Sequence, residues 1–191
     1  MKKMSQIKNL CVSAVCVALC CVLPPVFHSV GLGTAFSPMH IPVLLCGLIC
    51  GPWYGLACGI IGPVLCSLIN SMPGPAMLIH MVPELVTYGL ATGLSMKFVR
   101  TGKTPADLYI SLASAMILGR IVGGIVQSFV YMGTDSAMTL AGWAAAYFGS
   151  TLPGIVCHLH VNPALHFALV KPRLLPGRYT KPSTVEKKKK K

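Results

Sequence analysis

Residues 38–63 read PMHIPVLLCGLICGPWYGLACGIIGP, a stretch apolar enough to be buried yet cut by Pro38, Pro42, Pro52 and Pro63 and studded with Gly47, Gly51, Gly55, Gly59 and Gly62. A core helix of a water-soluble protein does not carry so many breakers, because each interior Pro removes a backbone donor and each Gly adds conformational entropy to be lost on folding. A membrane bundle accepts both. Neighbouring helices re-satisfy the freed backbone groups, and Gly lets two helix backbones approach closely. The stretch therefore predicts two short, tightly packed membrane helices, at about 41–51 and 55–70, hinged at the GPWYG turn.

Composition agrees over the whole chain. Of 191 residues, 54% are hydrophobic and only 10% charged, against roughly 25% charged in soluble domains, and the mean hydropathy is +0.70. At roughly 20 apolar residues per span, the expectation is an all-α integral membrane protein of six transmembrane helices, filling residues 1–170. The net charge of +12 would suit a nucleic-acid binder, but its distribution does not. The cations gather at Lys2, Lys3 and Lys8, at Lys97, Arg100 and Lys103, and from Lys171 to the Lys187–Lys191 run. Under the positive-inside rule these are cytoplasmic flanks, so both termini are expected in the cytoplasm of a cell-membrane protein, with 171–191 a solvated basic tail.

In chain order, the first helix is expected from about 7 to 23, ending at Pro24-Pro25. No small-residue cleavage pattern follows it, so it reads as a retained helix rather than a removable leader. The segment from Pro24 to His40 is too polar and too rich in Gly, Pro and Ser to span; it is read as an outer loop of lid type. After the two hinged helices comes the NSMPGP turn, then helices at about 76–99, 106–131 and 149–170, separated by the basic RTGKTPAD loop and the outer MGTDSAM loop. All three basic clusters then fall on one side.

Charges at bilayer depth are costly and mark candidate sites. Glu84, two turns below the outer end of its helix, and Arg120, three turns below the outer end of its own, lie at nearly matching depth. They form either a structural pair or part of a ligand site. Helical spacing favours the second, because His80, Glu84 and Tyr88 share one face, as do Arg120, Gly124 and Gln127, and as do His158 and Asn162. Converging polar stripes with apolar walls make a small-molecule pocket. His40, at the end of the outer loop, is placed in the same site, while His166 is read as a packing residue and Trp53 and Tyr54 as interface anchors.

Other chemistry is poorly supported. The nine cysteines contain no CxxC pair and lie in apolar runs, where Cys behaves as a small hydrophobe. His158-x-His160 does not face one way on a helix, so no metal site is expected. No HExxH, Walker loop, GxSxG or paired-carboxylate cluster occurs, so neither enzymatic activity nor an ATP site is expected.

Taken in order, Ala14-x-x-x-Ala18, PMHIPVLLCGLICGPWYG, CSLINSMPG, PELVTYGLATGL, LGRIVGGIV and TLPGIVCHLHVNPAL resemble the substrate-binding S component of energy-coupling factor (ECF) transporters over about residues 5–170. The resemblance implies a six-helix vitamin-binding subunit that works with a transmembrane coupling protein and two ATPases, ATP being used by those partners and no cofactor by this chain. It implies that the first three helices dock on the coupling protein through Ala14 and Ala18, with Gly47 and Gly51 in the same close packing. It places the ligand near the outer surface, between helices four to six under a lid loop. The PMHIPVLLCG and PELVTYG segments look most like the branch for pyridoxine-related compounds, with the folate and pantothenate branches near. His158 and His160 depart from the Gln and aliphatic residues expected there, which implies a different ligand or an altered pocket. The alternatives are an autonomous permease, which needs no ATPase, and an intramembrane enzyme, which would release a changed product.

Overall fold

The structure is a computed structural model that describes residues 5–29, 31, 38–130 and 152–170, all of its regular elements being helices. They are α1 (Gln6–Ser29), α2 (His40–Cys50), α3 (Pro52–Asn70), α4 (Pro75–Phe98), α5 (Thr104–Val130) and α6 (Leu152–Val170). The basic tail, the MGTDSAM loop and residues 30 and 32–37 of the expected lid lie outside the described residues, while the first six residues of that expected loop, 24–29, belong to α1.

The six helices expected from the sequence are present, but four of them, α1, α3, α4 and α5, are long and apolar enough to cross a membrane. At 11 residues α2 is about 16 Å long, roughly half the hydrocarbon thickness. In α6, three histidines, Asn162 and Pro163 lower the hydropathy. The side chains left exposed on the long helices are largely apolar, including Ile7, Leu10, Val15 and Val22 on α1 and Ile117 and Ile125 on α5. That is a surface suited to lipid rather than water.

Two boundaries differ from expectation for identifiable reasons. First, α1 runs through Pro24 and Pro25 to Ser29 instead of stopping at Leu23. Proline's fixed φ suits a helix, and what it lacks is the N–H owed to the carbonyl four residues earlier. For Pro25 that carbonyl belongs to Cys21, and the side chain of Asn70 at the end of α3 supplies the missing donor, Nδ2 to O at 2.8 Å. Second, the hinge between α2 and α3 is a single residue. Gly51, at φ +97°, reverses the chain in a conformation that other residues rarely adopt, and Pro52 opens α3 at once.

Glycines set the helix spacing. Running antiparallel, α3 and α4 meet with Gly55 backbone on Gly89 backbone, Gly59 on the Leu85 carbonyl, and Pro52 on Gly93. A Cβ at any of these positions would collide with main chain, which cannot move aside. From α2, Gly47 lies against Thr92 and Gly89, so that α2 runs parallel to α4. On the opposite flank α5 is antiparallel to α4, with Ser95 and Ser114 hydroxyls 3.0 Å apart. The buried thiols of Cys16, Cys20, Cys46, Cys58 and Cys66 pack in the core with Leu44, Leu85, Leu108 and Leu112.

Candidate functional site

The polar residues of four helices meet beside α4. Pro83 lacks the N–H owed to the Ile79 carbonyl just before Glu84, and the Thr87 hydroxyl donates to the Pro83 carbonyl (2.7 Å). Helical spacing puts Glu84 on the face away from Gly89 and Gly93. Its Oε1 accepts a hydrogen bond from the Tyr88 hydroxyl at 2.7 Å, one turn along the same helix. The Thr92 hydroxyl, a turn further, donates to the Tyr88 carbonyl at 2.6 Å.

From α2, His40 places Nε2 3.7 Å from the same carboxylate oxygen. Its ring lies 5.1 Å from that of Tyr88 and stacks on that of His158 from α6, with centroids 5.7 Å apart and planes 25° from parallel. This is possible because α2 begins at His40, level with Glu84. Asn162, one turn inward from His158, donates from Nδ2 to the His158 carbonyl at 3.2 Å. From α5, Arg120 is buried and bears on Glu84 as a positive charge beyond His40.

The structure thus brings together His40, Glu84, Tyr88 and His158 in direct contact, with Arg120 and Asn162 buried around them. Tyr88 and His158 are each only 1% exposed. His80 and Gln127 are half-buried, one turn and about two turns outward of Glu84 and Arg120 on the same helices. As the spacing predicts, His158 and His160 diverge: His160 is exposed and bonds the Val156 carbonyl (2.8 Å). His166, buried a further turn in, packs edge-on against Phe167.

Two site residues escaped the sequence reading. Gly119 and Gly123 on α5 supply the flat wall against which Tyr88 and Glu84 lie. A Cβ on Gly119 would run into the Tyr88 ring, and one on Gly123 would stand 3.0 Å from both Cβ and Oε2 of Glu84. Their four-residue spacing was the available signal. The small residues assigned to partner docking separate into two groups. Ala14 and Ala18 are exposed on α1. Gly47, by contrast, is buried against α4, because it serves helix packing within the chain, and Gly51 is half-buried at the hinge.

A buried carboxylate, guanidinium and imidazole pair thus sit together inside an apolar bundle, a polar group of the kind that marks a candidate ligand site. The model of the ECF transporter substrate-specific component family matches residues 8–171. The chain belongs to that family. No curated protein and no solved structure matches it. Members of this family are the substrate-binding subunits of ECF transporters and work with an energy-coupling module; it is a transporter family, not an enzyme family.

Proposed function

We propose that this chain captures a small water-soluble vitamin or vitamin precursor, with pyridoxine-related compounds first in order. It passes the ligand inward together with a transmembrane coupling protein and two ATPases, which supply the ATP. The observation that carries this reading is the meeting of His40, Glu84, Tyr88 and His158 from three helices in one buried cluster flanked by Arg120 and Asn162. In an apolar bundle such a group is expensive to maintain for structure alone. Glu84 accepts hydrogen bonds from ligand hydroxyl or amino groups, Arg120 balances its charge or holds a ligand anion, and His40, Tyr88, His158 and Asn162 orient the ligand. His80 and Gln127 line the approach.

The exposed Ala14 and Ala18 form a flat strip on α1 that suits docking of the coupling protein. The protein sits in the cell membrane with both termini in the cytoplasm, the side on which its basic clusters gather. The test is to purify the chain in detergent, denature it, identify any released small molecule by mass spectrometry and titrate that compound back. Stoichiometric recovery of one vitamin-like compound is expected. An empty protein that also ignores a panel of vitamins would refute the reading. Sustained uptake by proteoliposomes of this chain alone would favour an autonomous permease instead.

A further inference from the structure

The turn that joins α4 to α5 carries a charge pattern that the buried cluster does not use. Both helices are long and apolar enough to cross a membrane, so residues 99–103 between them lie at its surface. Lys97, Arg100 and Lys103 are exposed there, and among the described residues their side chains make no hydrogen bond or ion pair. Asp107 is the only acidic residue between Glu84 and Asp135. It does not neutralise that surface, because it is fully buried in the first turn of α5. Its Oδ1 accepts from the Thr101 backbone N–H at 2.8 Å and from the Thr101 hydroxyl at 2.6 Å. Gly102, at φ +86°, lets the chain double back between Thr101 and Lys103. The carboxylate thus holds the turn from inside, and positive charge alone is left outside.

Two aromatic rings flank the cations. Phe98, the last residue of α4, is 72% exposed, and Tyr109, about 8 Å along α5 from Thr104, is 44% exposed. Exposed aromatic rings near the end of a span suit the level of the lipid headgroups, Tyr especially, since its ring is apolar and its hydroxyl can reach water. A positive turn at that level complements the negative phosphates of a leaflet, and the Arg100 guanidinium suits a phosphate through two parallel N–H donors. We infer that the α4–α5 turn is a docking site for the headgroups of anionic phospholipids. Lys97, Arg100 and Lys103 contact the phosphates, Thr101 and Asp107 keep the turn in shape, and Phe98 and Tyr109 fix its depth. A zwitterionic headgroup sets its own cation beside the phosphate and gains little from the patch. The inference stands on the membrane placement of α4 and α5 and is independent of what the buried cluster binds.

The test uses the full chain reconstituted in lipid bilayers. Phe98→Trp places a fluorophore at the turn, in a background of Trp53→Phe and Trp143→Phe, and lipids with brominated acyl chains quench it on contact. Brominated phosphatidylglycerol and brominated phosphatidylcholine are compared. Each cation near an anionic leaflet contributes about a factor of five, so the three together should favour phosphatidylglycerol by on the order of 100-fold at low salt, and Arg100→Gln alone should reduce that preference about fivefold. Lys97→Gln, Arg100→Gln and Lys103→Gln combined should abolish it, as should about 1 M salt, where the Debye length is about 3 Å. If the combined variant does not reconstitute as a folded species, the salt titration decides alone. Equal quenching by the two lipids, or a preference that survives the combined substitution or high salt, overturns the inference and leaves the patch to an acidic protein surface.

Discussion

The two flanks of α4 are built on opposite principles. Toward α3 the contact is backbone on backbone, Gly55 against Gly89 and Gly59 against Leu85, with no side chain between that could adjust. Toward α2, α5 and α6 the same helix presents Glu84 and Tyr88, whose contacts run through side-chain atoms and rings. A main-chain seam is intolerant of added atoms but indifferent to the chemistry of a ligand. A side-chain cluster can be retuned by one substitution without disturbing the helix axes. One helix can therefore anchor the fold and vary the ligand at once.

That division can be broken by experiment. Gly89→Val should have the largest effect, more than about 3 kcal/mol of stability, because its side chain meets Gly55 main chain; denaturation in detergent measures it. A folded protein with normal melting that had merely lost ligand would end the distinction between the flanks. Next, Glu84→Gln should weaken ligand binding by a factor on the order of 100 while the melting temperature stays nearly constant. Unchanged affinity would remove Glu84 from the site. Smaller again, Tyr88→Phe deletes one donor to that carboxylate and should weaken binding about tenfold, measured by the same titration. A fall in stability without any change in affinity would move Tyr88 to the structural side.

The smallest expected effect lies away from both flanks. Asn70→Leu should lower stability by about 1 kcal/mol, and the loss should vanish in a Pro25→Ala background, where the backbone N–H of residue 25 can reach the Cys21 carbonyl itself. A double-mutant cycle with no coupling between the two positions would show that the Asn70 amide does not serve that carbonyl.

Much of this architecture was legible in the sequence because membrane solvation leaves few options. The Gly and Pro pattern of residues 38–63 marked the hinged pair of helices, and the four-residue spacing of Glu84 and Tyr88 put them on one face. What was not legible depended on partners far away in sequence. Pro24-Pro25 looked like a helix end because nothing local shows that Asn70, 45 positions beyond Pro25, will supply the lost donor. Gly47 looked like surface for a partner because spacing alone cannot say which neighbour a small residue approaches. The nearness of His40 to Glu84 was not legible either: spacing within α4 shows Tyr88 beside the carboxylate, whereas His40, at 3.7 Å, comes from a separate helix that begins level with it.

The Asn70 contact also bears on how such a chain can change over generations. The Cys21 carbonyl can be served from within α1 or from α3, and it needs only one of them. A lineage that gains the asparagine first can then accept proline at position 25 at little loss, whereas the reverse order passes through an intermediate with an orphaned carbonyl. Afterwards the asparagine can no longer be replaced freely. A substitution harmless in one relative would then be damaging in another with the same fold, with the difference located in a single main-chain oxygen.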